Sequence, residues 1–218
     1  MSQNWRNPTI RRWLANEILH ESGMIKSKQD YLDYLRADRE KLYCRRKRPR
    51  PFMDDIWKFQ RLLRKVEYFQ NCRKDFLGKL YWAYLRLRFE RLSVRLGFTI
   101  SPNTCGPGLS IAHRGTIVIH GKARIGANCR IHVDVNIGAQ AGNENAVPKI
   151  GDDVYIGPGA KIFGGIVIAD GIAMGANAVV NKSFTEPGIA IAGVPAAKIN
   201  NRGSQGLIRS ETDATIKV

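Results

Sequence analysis

Two histidines, His113 and His132, stand nineteen residues apart in a stretch otherwise made mostly of small and aliphatic residues. A neutral imidazole can take a proton near physiological pH, which makes either one a candidate general base. His113 lies in Leu109-Ser110-Ile111-Ala112-His113-Arg114-Gly115-Thr116. His120 and His132 each follow an isoleucine, Ile119 and Ile131, and should point outward or along a corner. His120 reads as a surface histidine, and His20, in a helical stretch, as structural. His132 is the candidate that could come close to His113.

The elements that would position these groups follow from one periodicity. A large apolar residue recurs every sixth position: Ile119, Ile125, Ile131, Ile137, then Ile150, Ile156, Ile162, Ile168, Met174 and Val180. Small or β-branched residues follow four positions after most of these, as at Ala123, Cys129, Val135, Val154, Ala160 and Ala178. Neither a helix nor a plain strand has that period. Six is the repeat of a parallel β-helix, in which each hexad makes one short strand and one corner. Three hexads close a coil, so residues one coil apart stack about 4.8 Å from each other. His132 then sits one coil from His113. The Ile-Gly pairs at 125, 137, 150 and 156 are expected to make tight corners. His113 falls where the repeat has not settled into register, and local irregularities tend to be functional. A second break, between Ile137 and Ile150, holds Gly138-Ala139-Gln140-Ala141-Gly142-Asn143-Glu144-Asn145-Ala146-Val147-Pro148, which reads as a projecting loop.

The chain has 218 residues and a net charge of +16. That charge is unevenly shared: residues 1–100 hold 24 Lys/Arg against 11 Asp/Glu, and the remainder 11 against 8. The basic half predicts an acidic partner, whether a polymer, a membrane surface or an acidic acceptor. Its clearest features are Arg45-Arg46-Lys47-Arg48-Pro49-Arg50 and the row Arg88, Arg91, Arg95. No nucleic-acid module accompanies them, so nucleic acid is not the expected partner. Residues 1–98 read as helices. One opens at Pro8 and runs toward His20; a second is capped by Ser27 with Asp30 three residues on. A third carries Ile56, Phe59, Leu62, Leu63, Val66 and Phe69. The last spans about Phe76 to Leu96, with Leu80, Tyr84, Leu85, Phe89, Leu92 and Leu96 as its stripe. There is no apolar run long enough to span a bilayer and no leader-like start. The four cysteines show no CxxC or close pairing, so a reduced, cytoplasmic protein is expected, with peripheral contact at the inner membrane face left open.

The resulting expectation is an α+β chain: a basic α-helical domain over 1–98, a left-handed parallel β-helix over 99–202, and a polar tail over 203–218.

The stretch Gly108–Ile199 resembles the serine O-acetyltransferase group of hexapeptide-repeat acyltransferases. The matching segments include Ala112-His113, Gly115-Thr116-Ile117-Val118, Val135-Asn136-Ile137-Gly138 and Pro148-Lys149-Ile150-Gly151. They continue through Ile156-Gly157-Pro158-Gly159-Ala160 and Met174-Gly175-Ala176-Asn177-Ala178, ending at Ala192-Gly193-Val194-Pro195-Ala196. The resemblance implies acetyl-CoA as donor, no metal, and homotrimers or dimers of trimers with sites between neighbouring β-helices. It makes His113 the catalytic base, with His132, Arg114 and Asn143 supporting the acceptor. It lays the CoA arm along Gly138, Ala139, Gly157, Pro158, Gly175 and Ala176, with Lys182 or Lys198 at its phosphates. This sequence departs from the family at three places. Ala112 replaces an acidic residue, Ala146 and Val147 stand where an Arg-His pair belongs, and Thr99 aligns with an orienting aspartate. A free amino acid drawn out of water needs charged partners. The departures therefore direct the expectation to the capsule and exopolysaccharide relatives, which acetylate a saccharide hydroxyl. Serine O-acetylation is the alternative, amino-sugar N-acetylation a third, and a non-catalytic trimeric scaffold for an anionic polymer a fourth. Zinc catalysis of the γ-carbonic anhydrase type is disfavoured. Its two histidines stand five apart, whereas here the spacings are seven and twelve.

Overall fold

The computed structural model describes residues 24–208. The expected helix from Pro8, His20, and the end of the polar tail lie outside the described residues. Three helices come first: α1 (Lys28–Lys41), α2 (Asp55–Cys72) and α3 (Phe76–Leu96). Ser27 caps α1 as its sequence predicts, its Oγ accepting from the Asp30 amide at 3.0 Å. Asp75 caps α3 by accepting from the Gly78 amide at 3.0 Å, and Gly97 ends it in the left-handed conformation at φ 78°. The basic cluster is a loop. Arg46 and Arg50 fold back onto Asp54, each at 3.0 Å, and the Arg50 hydrogen bond holds that carboxyl down at about 2.

The stripe expected on α3 is only half right. Leu85, Phe89 and Leu96 are buried, but Leu80 and Tyr84 are 62% and 50% exposed, with Phe76, Leu77 and Leu87 beside them. The first turns of α3 thus present an apolar face outward.

From Phe98 onward the chain winds through three parallel sheets in turn. The first sheet stacks Phe98–Ile100, Ile117–Ile119, Val135–Gly138, Lys161–Phe163 and Val179–Val180. The second stacks Arg124–Ile125, Lys149–Ile150 and Val167–Ile168. The third runs from Ser110–Ile111 through Arg130–Ile131, Tyr155–Ile156 and Ala173–Met174 to Ala190–Gly193. The strand Ala196–Asn200 then returns antiparallel and closes that edge. Each sheet contributes one column of core residues. Ile119, Ile137 and Ile162 align in one, Ile125, Ile150 and Ile168 in another, and Ile131, Ile156 and Met174 in the third. Each of these is at most 2% exposed, and the residues four positions on are buried with them except after Ile137, where Ala141 is exposed in the loop. Burial of each such side chain contributes about 1.5–3 kcal/mol.

The corners are not made as the Ile-Gly pairs suggested. Gly126, Gly138, Gly151 and Gly157 do not have positive φ. Left-handed backbone falls instead on Gly108, Asn128, Asp153 and Gly171 in one column and on Asp134, Gly159 and Asn177 in another, two residues after Gly126, Gly151 and Gly157. Asn and Asp tolerate that conformation because their short side chains bond locally, and Asn128 Nδ2 donates to Asp153 Oδ1 one coil on, at 3.0 Å. Gly126 and Gly151 serve close approach instead. A Cβ on Gly126 would lie 2.7 Å from the Gly151 carbonyl, and one on Gly151 2.8 Å from the Asp170 amide.

A buried polar seam joins the helices to the first coil. Arg64, fully buried, pairs with Asp38 at 2.8 Å and Glu67 at 3.1 Å. It also donates to the Cys105 carbonyl at 2.8 Å and the Gly106 carbonyl at 2.6 Å. Asp38 accepts from the Leu109 amide at 2.9 Å, Glu67 from the Asn103 amide at 2.8 Å, and Gln60 donates to the Leu109 carbonyl. Burial pushes both carboxyls up, and the Arg64 charge opposes it.

Candidate functional site

His113 owes its place to an elongated corner. Ile111 pairs with Ile131, twenty residues on, whereas Ile119 pairs with Ile137, eighteen on. The first coil therefore carries two extra residues between the third sheet and the first. The segment 112–116 bulges there, and His113 and Arg114 are exposed on it.

The expected approach of the two histidines is present. The ring centroids of His113 and His132 lie 5.9 Å apart. Beyond His132 stands Tyr155, at 5.1 Å between centroids. The cause is the register of the third sheet, where Ser110, Arg130 and Tyr155 are paired in sequence and each precedes a core isoleucine. His132 is half-buried, and its Nε2 has no hydrogen-bond partner among the described residues. Burial lowers its pKa, with the Arg130 and His113 charges acting the same way, which favours the neutral ring. Arg130 donates to Ser110 Oγ at 3.0 Å. No carboxylate bonds to His113 among the described residues, and Thr99, at the position of the family aspartate, is an exposed residue of the first sheet.

Arg114 turns toward the helices. Its guanidinium meets Asp55 Oδ2 at 3.3 Å, and Asp55 also takes Lys58 at 3.3 Å and Arg95 at 3.8 Å. The bulged corner is thereby tied to the start of α2.

The small residues expected along a CoA arm divide between two edges of this chain. Gly157-Pro158 and Gly175-Ala176 follow strands of the third sheet, on the same edge as His113 and His132. There Gly157 serves close approach of the coils, since a Cβ on it would lie 2.7 Å from the Met174 carbonyl, while Pro158 and Ala176 are exposed. Gly138-Ala139 ends a strand of the first sheet, on the next edge. Asn143 lies in the projecting loop, its Oδ1 accepting from the Asn145 amide at 3.1 Å, while Asn145 Oδ1 takes Lys122 Nζ at 2.8 Å. His120 is away from the pair, its Nδ1 accepting from the Lys122 amide. Lys198 is paired with Glu186 at 2.6 Å, and Lys182 lies over the Phe184 ring at 5.5 Å.

Sequence reasoning missed Tyr155, Arg130 and Asp55. Tyr155 was hidden by the insertion at 139–148, which puts it twenty-five residues from its partner Arg130 rather than eighteen. Counting in hexads across that loop fails. Among the described residues, no cluster of three or more His, Cys, Asp or Glu could hold a metal, and no helix is long and apolar enough to cross a membrane.

No family model matches the chain. It is similar to the serine acetyltransferase of Buchnera aphidicola subsp. Schizaphis graminum, 34% identical over 117 residues, 52% of this chain and 43% of the relative. It is 40% identical to that of Staphylococcus xylosus over 90 residues, 40% of this chain and 41% of the relative. The chain thus spans less than half the length of these curated relatives. The crystal structure of serine acetyltransferase in complex with coenzyme A from Brucella abortus strain S19 superposes with a TM-score of 0.61 at 26% identity, covering 85% of this chain and 74% of that one. The helices followed by stacked parallel strands are thus the architecture of serine acetyltransferase structures, and the hexapeptide-repeat resemblance stands.

The expectation of a capsule-type saccharide O-acetyltransferase is corrected by these relatives, which carry the serine acetyltransferase name at 34–40% identity. The saccharide reading rested on missing charged residues at Ala112, Ala146 and Val147. In the structure Arg130 stands close enough to His132 for its charge to lower that ring's pKa, so absence at aligned positions did not mean absence of charge, whereas Arg114 is turned to Asp55.

Proposed function

We propose that this protein is an acetyl-CoA-dependent serine O-acetyltransferase, with His113 as the general base. The observation that supports it most is the edge where His113, His132 and the exposed Pro158 and Ala176 lie together, in a chain similar to serine acetyltransferases.

Acetyl-CoA supplies the acetyl group already activated as a thioester. After the close-packed Gly157 and Gly175, the exposed Pro158 and Ala176 offer only short side chains to an extended pantetheine arm. His113, exposed on its bulge, takes the proton of the acceptor hydroxyl on its ring nitrogen and returns it to the departing sulfur. The lowered pKa of His132 favours its neutral form beside His113, 5.9 Å away, where a second imidazolium would oppose protonation of the base. Backbone amides near the corner stabilise the oxyanion. Arg130 supplies positive charge for an amino-acid carboxylate, and Arg114, turned to Asp55, supports the acceptor by holding the His113 corner. Asn143, Lys182 and Lys198 keep supporting parts, at the acceptor and at the CoA phosphates, in this reading.

The finer assignments belong to the same proposal. The coils close as a left-handed β-helix over 99–202, joined to the helical part over 1–98. The chain works as a homotrimer, singly or as paired trimers. The division of the CoA residues between two edges supports this, because an edge of one protomer then faces the next edge of its neighbour.

The experiment is an acceptor panel with acetyl-CoA, following free CoA, with serine, homoserine, threonine and nucleotide sugars. Serine should be acetylated fastest, and His113→Ala should cut turnover about 10²–10⁴-fold with the fold intact. CoA release that no hydroxy amino acid accelerates, or a fully active His113→Ala, refutes the reading.

A further inference from the structure

Asp55, which anchors the His113 corner, also closes one end of a cleft of about 690 Å³ between α2 and α3. The two walls carry the same pattern. On α2 it is Lys58, Arg61, Leu62, Lys65; on α3 it is Arg88, Arg91, Leu92, Arg95. Each row repeats at i, i+3, i+7, so each is a single helix face about 10 Å long. The helices are joined by the short turn 73–75 and run antiparallel, so Lys58 faces Arg95 and Lys65 faces Arg88. Two contacts agree with this: Arg95 reaches Asp55, one turn from Lys58, and Lys65 donates to Tyr81 Oη at 2.8 Å. Leu62 and Leu92 form the floor.

Six cations thus share one cleft with a single carboxylate. Asp55 is already taken by Lys58, Arg95 and Arg114. Among the described residues, Arg61, Lys65, Arg88 and Arg91 have no carboxylate partner. Two of these four lie against tyrosines, Lys65 4.9 Å from the Tyr81 ring and Arg88 5.8 Å from Tyr84. Like charges on two facing rows repel, and an anion seated between them relieves this. At the rim, Pro49, Pro51 and Phe52 line the mouth, and Phe52 is 96% exposed, an aromatic ring left uncovered by the described residues.

We propose that this cleft binds a nucleoside polyphosphate, its phosphates between the two cationic rows and its base on Phe52. Guanidinium forks suit phosphate oxygens, and four of the six cations are arginines. An aromatic ring at the rim gives a base a stacking surface. The negative Asp55 stops the site at one end, which suits a short polyphosphate and disfavours a polymer that must run through. This site is separate from the CoA edge and does not depend on the reaction assigned above.

The test is calorimetric titration of the full chain with ATP, inorganic triphosphate, adenosine and CoA at two salt concentrations. ATP should bind, more weakly at high salt, and adenosine should not bind. Arg61→Glu with Arg91→Glu should lower ATP affinity by more than about tenfold while CoA affinity stays within about twofold. The milder Arg61→Gln with Arg91→Gln should do the same in part, and circular dichroism checks that both pairs fold. Phe52→Ala should remove the advantage of ATP over triphosphate. ATP that does not bind, or that binds the charge-reversed chain unchanged, overturns the proposal. Triphosphate binding as tightly as ATP overturns the nucleoside part. A parallel loss of CoA affinity overturns the separate site and makes the cleft part of the CoA path.

Discussion

The coils and the seam that joins the helices to them are held by opposite chemistry. In the coils, like residues stack on like, column by column, and the interior is aliphatic. In the seam, one arginine, two carboxylates and a glutamine are buried together, and they bind backbone groups of the first coil. The coils gain from burial without direction, so each hexad can repeat the last. The seam gains only if every partner is in place, since an unpaired buried charge costs more than a lost contact. The first coil has no preceding coil to cap it, and its carbonyls at Cys105 and Gly106 need donors. The helices serve as that cap.

Breaking the seam should have the largest effect on stability. Arg64→Met leaves Asp38 and Glu67 buried without their counter-charge and should cost about 3–5 kcal/mol by urea denaturation. Replacing all three ionic residues with apolar ones should recover only part of that, because the Leu109 and Asn103 amides and the Cys105 and Gly106 carbonyls lose their partners too. Full recovery would mean that the seam is merely packing, and the contrast with the coils would fall. In the coils, Ile156→Ala removes one member of a column and should cost about 2–5 kcal/mol. Its neighbours in the column should be affected in turn, which a double variant with Ile131→Ala would show as non-additivity.

A smaller effect separates two kinds of corner glycine. Gly126→Ala forces a Cβ against the Gly151 backbone, 2.7 Å away, and should cost about 1–3 kcal/mol. Gly138→Ala meets only the Asn136 side-chain oxygen at 3.3 Å and should be close to neutral. Equal costs at both would mean that corner conformation, not coil spacing, selects these glycines.

The same contrast explains what could be read from the sequence. The coils were legible because the column rule recurs: Ile119, Ile137 and Ile162 are three instances of one position. Helix ends were legible where a local cap signals them, as at Ser27. The seam was not, because Arg64 meets Asp38 and Cys105 across separations of 26 and 41 residues, with no repeat to reveal them. At the candidate site, His113 stood out as a break in period, and the approach of His132 followed from counting one coil. Tyr155 did not, since the loop at 139–148 shifts the count. The corner residues with left-handed backbone were mistaken for the glycines two positions earlier, although Asn128, Asp153 and Asn177 carry their own signal in residue type.

The smallest expected effect lies at the one place where the coil edge behaves like the seam. His132 is a polar ring packed between His113 and Tyr155, with Nε2 buried and unpartnered. Its pKa is lowered, first by burial, then by Arg130 and His113. In the unfolded chain it returns to an ordinary histidine value of about 6.5. Between the lowered folded pKa and that value, the unfolded state binds more protons than the folded one. Stability from this residue is therefore fully present above about pH 6.5 and is lost as pH falls through the folded pKa. Melting curves of the wild type and of His132→Gln between about pH 7.5 and 5 should converge or cross on the acid side, the variant losing less. The carboxylates titrate in both proteins, so the difference between the two curves isolates His132. Curves that stay parallel across the range would show that the ring is solvated in solution. The coil edge would then differ from the seam, where Arg64, Asp38 and Glu67 are buried together.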